Sequence, residues 1–99
     1  MLQLYKKGES IVLGKIISMN LKDTIQKIPL GATEMRINGK KYLVSRQDFN
    51  QGKSTKVYAE ELGGNDFISF NFYLTSKGEQ LKPCEMPTQK VLDFLASIK

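Results

Sequence analysis

The dipeptide Asn38-Gly39 constrains this chain more than any other feature. A two-residue turn that joins twisted antiparallel strands needs positive φ at both positions, and Asn-Gly meets that need at the least cost. On either side lie Thr33-Glu34-Met35-Arg36-Ile37 and Lys40-Lys41-Tyr42-Leu43-Val44, both able to extend as strands. The turn fixes the register: Ile37 faces Lys40, Met35 faces Tyr42 and Thr33 faces Val44. Met35, Ile37, Tyr42 and Val44 then share one face, which must be core. Glu34, Arg36, Lys41 and Leu43 share the other, largely wet one.

A second pair of strands is expected over residues 55–62 and 67–75. With Gly64-Asn65 as the turn, Glu61 faces Ile68, Ala59 faces Phe70 and Val57 faces Phe72, which gathers Val57, Ala59, Ile68, Phe70, Phe72 and Leu74 on one side. A turn at Gly63-Gly64 would set Glu61 opposite Asp66, a like-charge pair, so the former register is preferred. Polar residues 47–54 link the two hairpins. Residues 80–82 add a short edge strand that Pro83 ends. Asn20 can cap a helix with Asp23 in its first turn, and Leu21, Ile25 and Ile28 recur at helical spacing until Pro29. At the other end Pro87 suits a first helical turn, after which Val91, Phe94, Leu95 and Ile98 form an apolar stripe. The expected fold is α+β: a four- to five-stranded antiparallel meander with the N-terminal and C-terminal helices packed on one face.

A chain of 99 residues has room for one such domain. Residues 1–18 read as an extension, a dispensable arm before a domain over 19–99. Ser10 could cap a helix there, while Ile11, Val12, Ile16 and Ile17 suit a strand equally well. The apolar run from Ile11 is broken by Gly14 and Lys15, which leaves neither a signal peptide nor a membrane span. The formal net charge is +5, but only Arg36 and Arg46 among the 15 cations are Arg, and the Lys residues are dispersed. Lys6, Lys7, Lys15 and Glu9 fall within 1–18, so dispersion favours solubility over nucleic-acid binding.

The chain has no His and one Cys, which excludes imidazole acid/base catalysis, His metal ligands and an internal disulfide. A lone Cys fits a reducing, cytoplasmic setting. Catalysis is thereby narrowed to Cys84 and the carboxylates. Pro83-Cys84-Glu85-Met86-Pro87 sets the thiol just ahead of the C-terminal helix, whose N–H groups favour a thiolate while Glu85 disfavours it. An inert, packed Cys84 is the competing reading. Glu60, Glu61 and Asp66 form the main acidic cluster, but Glu60 and Glu61 point to opposite faces of a strand and cannot share a metal. No cofactor or metal site is expected. The face opposite the core carries Tyr58, Leu62, Phe67 and Tyr73 beside Glu60, Ser69 and Asn71. It is either scattered apolar exposure, or a face covered by the N-terminal arm, or a docking or dimerisation surface through Tyr58, Phe67, Asn71 and Tyr73.

The runs Ala59-Glu60-Glu61-Leu62-Gly63-Gly64, Asp66-Phe67-Ile68-Ser69-Phe70-Asn71 and Pro83-Cys84-Glu85-Met86-Pro87, followed by Val91 and Phe94, resemble a family of small bacterial proteins. The resemblance spans about Met19 to the end, and many members of that family carry the label peptide methionine sulfoxide reductase. It implies Cys84 as the nucleophile on sulfoxide sulfur and Glu85 as a donor to the oxygen. The Gly-Cys-Phe-Trp motif of one reductase class and the paired Cys-x-x-Cys zinc ligands of the other do not occur in the chain. Two functions follow as expectations: a non-enzymatic binding or assembly module using the aromatic face, and a single-thiol reductase using Cys84.

Overall fold

The computed structural model describes residues 20–98, so the expectations for residues 1–18 lie outside the described residues. A short helix, α1 (Leu21–Gln26), precedes five strands: β1 (Gly31–Ile37), β2 (Lys40–Phe49), β3 (Ser54–Glu61), β4 (Phe67–Thr75) and β5 (Gly78–Pro83). A second helix, α2 (Thr88–Ala96), closes the order. The strands form one antiparallel sheet in sequential order β1-β2-β3-β4-β5. The fold is α+β, as the order of elements in the sequence implies.

The β1–β2 hairpin has the register dictated by its turn, with Met35 opposite Tyr42 and Ile37 opposite Lys40. Asn38 and Gly39 take φ of 56° and 79°, the left-handed values that the turn requires. At the next hairpin the structure corrects the preferred register. Val57 faces Phe70 and Ala59 faces Ile68, a shift of two residues that places Glu61 beside Asp66. Because the shift is even, every side chain keeps its face. The like-charge objection fails because each carboxylate has its own partners. Glu61 folds back over Gly64, where no β-carbon would fit, and accepts the Asp66 N–H at 3.3 Å. The Asp66 carboxylate is taken up by a tyrosine and a lysine.

Two boundaries also differ from the sequence reading. β2 runs on to Phe49, and the polar link contracts to a single turn over Asn50–Gly52. β5 is longer than residues 80–82, and its ladder continues past Pro83 through the Cys84 N–H, which donates to the Ser69 carbonyl at 2.9 Å. Pro87 stands one residue before α2, at its N-cap.

α1 is capped as its sequence indicates, with Asn20 Oδ1 accepting the Asp23 N–H at 3.1 Å. Its other end is held by Arg46, whose guanidinium donates to the Ile28 carbonyl at 2.7 Å and the Gln26 carbonyl at 3.4 Å. Two further nitrogens of the same group bind Asp48, which also accepts from Thr55. One buried cluster joins Ile25 and Ile28 to Val44, Val57, Ala59 and Phe70 of the sheet and to Val91, Phe94 and Leu95 of α2. Burial at roughly 25 cal/mol per Å² of apolar surface makes this cluster the main source of stability.

Candidate functional site

Alternation along β3 and β4 decides what lies opposite the core. Val57, Ala59, Ile68, Phe70 and Phe72 point inward, so Tyr58, Phe67, Asn71 and Tyr73 must project from the other side. Tyr58 is 40% exposed and Phe67 38%. Their rings tilt together with centroids 6.3 Å apart, and exposed Leu43 and Leu62 lie at the same end of the sheet. Asn71 and Tyr73 are half-buried. The four residues selected from the sequence therefore share one surface. Lys56, Asn71 and Lys82 stand in register across β3, β4 and β5, so a basic row crosses the face beside the aromatic pair.

The structure also joins two features that the sequence left separate. Cys84 continues the β5 ladder opposite Ser69, so its side chain falls on the aromatic face and not in the core. Asn71 Nδ2 approaches Cys84 Sγ at 3.6 Å, and the thiol is half-buried. Neither a fully packed nor a freely exposed cysteine describes it. Glu85 is exposed, with φ of 60°, and among the described hydrogen bonds none connects it to the thiol.

A second cluster lies at the rim, and sequence reasoning missed it. Tyr42 Oη donates to Asp66 Oδ2 at 2.7 Å, while Lys90 Nζ from α2 meets Asp66 Oδ1 at 2.7 Å. Lys90 also sits 5.5 Å from the centre of the Phe67 ring, so the cluster touches the edge of the aromatic face. Burial, followed by the hydrogen bond and charge of Asp66, pushes the Tyr42 phenol up to about 12. The hydrogen bonds from Lys90 and then Tyr42 hold the Asp66 carboxyl below its ordinary value. Such a tyrosine stays protonated at neutral pH and donates its hydrogen bond; it is no base. The adjoining hollow has a volume of about 170 Å³, well under the roughly 300–1,000 Å³ typical of small-molecule sites. This cluster is a fastener between α2 and the sheet. Its parts are far apart in the chain, and no local pattern connects Tyr42 to Lys90.

Among the described residues, no group of three His, Cys, Asp or Glu side chains could hold a metal ion. No described helix is long and apolar enough to cross a membrane. Comparison with known proteins finds no matching family model, no matching curated protein and no matching solved structure.

Proposed function

We propose that this protein is a non-enzymatic binding module that docks a partner protein on the sheet face carrying Tyr58, Phe67, Asn71 and Tyr73. The observation that carries the reading is the tilted Tyr58–Phe67 pair, two large rings left two-fifths exposed in the middle strands of a sheet. A sheet face serving only as a solvated surface gains nothing from such side chains, whereas aromatic rings are the preferred anchors of protein interfaces. The flanking Lys56 and Lys82 select the partner's chemistry: an apolar side chain for the rings and a carboxylate for the basic row. In this reading both helices cover the opposite face. That is supported by the single cluster into which Ile25 of α1, Ile28 just after it, and Val91, Phe94 and Leu95 of α2 all project. A lone cysteine supports a reducing, cytoplasmic setting.

The test is capture of binding partners from lysate with the full chain and with Phe67→Asp, folding of each being checked by circular dichroism. Loss of a captured partner in a folded Phe67→Asp variant supports the reading. A variant that captures the same partners as the unmutated protein, or an unmutated protein that captures nothing, overturns it.

The half-buried position of Cys84 on this same face, with Asn71 as its neighbour, supports a second reading, a thiol-dependent peptide methionine sulfoxide reductase with Cys84 as nucleophile and Glu85, the next residue in the chain, as the donor to the oxygen. It predicts reduction of a methionine sulfoxide peptide in the presence of dithiothreitol, lost in Cys84→Ser. An unmutated protein inactive in that assay removes it.

A further inference from the structure

The two edges of the sheet are unlike one another. On β5 the Cys84 N–H faces β4, so by alternation Pro83 presents its nitrogen outward, where it has no hydrogen to offer a further strand. β1 contains no proline, and among the described strands it pairs with β2 alone. The Leu62 N–H donates to the Lys41 carbonyl at 2.8 Å, so odd residues at the start of β2 turn their backbone toward β3 and even ones toward β1. Tyr42 and Val44 therefore bond Met35 and Thr33, leaving the N–H and C=O groups of Ala32, Glu34 and Arg36 directed outward. An edge of this kind is a template for another strand.

The side chains on that edge fit a second copy of the same strand. If two β1 strands pair antiparallel about a two-fold axis at Met35, Glu34 of each copy faces Arg36 of the other, and Thr33 faces Ile37. The parity agrees, because Glu34 and Arg36 are the residues with outward-facing backbone groups and would form the hydrogen-bonded pairs. Met35 occupies the non-hydrogen-bonded position, where opposing side chains approach most closely. Within one chain Arg36 stands opposite Lys41, an unfavourable like-charge neighbour, and its described hydrogen bond is to the Gly39 carbonyl at 3.4 Å. Two-fold pairing supplies the missing carboxylate.

We propose that the protein forms a symmetric homodimer by β1–β1 edge pairing in the Glu34–Arg36 register, making one continuous sheet of ten strands from two sheets of five. The aromatic faces of the two copies then lie side by side on the same surface. The dimer uses the edge and not that face, so it stands apart from the docking reading.

Sedimentation equilibrium of the full chain tests it. Arg36→Glu converts both attractive pairs to repulsive ones and should raise the dissociation constant at least about tenfold. Glu34→Arg combined with Arg36→Glu restores opposite charges across the axis and should restore the dimer. Glu34→Pro deletes an outward N–H without touching the β1–β2 ladder and should give a monomer, whereas Phe67→Asp should remain dimeric. A full chain monomeric at several hundred micromolar overturns the proposal, as it would if residues 1–18 occupied the edge. A dimer unchanged by Arg36→Glu and Glu34→Pro also overturns it, and loss of that dimer in Phe67→Asp would transfer self-association to the aromatic face.

Discussion

Replacing Tyr42 with Phe isolates one hydrogen bond. The Tyr42 ring meets Phe94 edge-on at 5.7 Å and 80°, a contact that phenylalanine retains, so only the donor to Asp66 is lost. A hydrogen bond to a charged acceptor contributes about 1.5–3 kcal/mol. The Lys90 ammonium remains on Asp66, so the carboxylate is not orphaned and the cost should fall near the lower limit, about 1.5 kcal/mol at pH 7. In a domain of this size that lowers the thermal midpoint by roughly 6–12 °C. The pH dependence gives the sharper signature. Asp66 is depressed in the folded state, so its contribution is present above the ordinary carboxylate value and disappears as pH falls through the folded one. Tyr42 is raised from 10.0 to about 12, so its contribution is complete below pH 10 and disappears as pH rises through about 12. The difference between Tyr42→Phe and the unmutated protein should therefore peak near neutrality and shrink toward both extremes. Urea unfolding followed by circular dichroism, compared at pH 7, pH 2.5 and pH 11.5, measures it. A difference that is the same at all three values, or no difference at pH 7 with an unchanged denaturant slope, would refute the reasoning.

Three further outcomes follow from single groups. Arg46→Met removes the donors that hold the end of α1 and the partner that depresses Asp48, so urea unfolding should show a loss of about 1.5–3 kcal/mol at pH 7, smaller at pH 2.5, below the ordinary carboxylate value, where the contribution of the depressed Asp48 is being lost. Gly39→Ala forces a β-carbon into φ of 79° with free space around it, so the cost is conformational, about 1–2 kcal/mol, with no change in spectrum. Phe70→Ala leaves a void at a fully buried position and should cost about 3–5 kcal/mol, enough for a thermal scan to show a large fall in midpoint or no folded state.

The sequence carried its information locally. Asn38-Gly39 specified the first hairpin to the residue, because a two-residue turn admits one register, and Asn20 with Asp23 specified the start of α1. Glycine at both 63 and 64 left the second turn ambiguous, and the charge argument chose wrongly because the answer depended on Lys90 and Tyr42, distant in the chain. Strand alternation was enough to collect Tyr58, Phe67, Asn71 and Tyr73 on one face. It could not place Cys84 there, since Pro83 looked like the end of the strand and the ladder in fact runs one residue further. Arg46 as the stop of α1 was equally hidden, for a guanidinium reaching a helix end from a strand leaves no spacing to read.

The sequential strand order also bears on how the protein folds. Every described strand pairs only with its neighbours among the described strands, so each loop closed between them during assembly is short and its entropy cost small. The hairpin around Asn38-Gly39 can form first and recruit β3, β4 and β5 in turn without waiting for a distant segment. The contact between α1 and α2, from the two ends of the described chain, is the long closure, and the cost of closing it is expected to place it late in folding. Mutations in the β1–β2 turn should therefore act on the folding rate, and those at the seam between the helices on the unfolding rate.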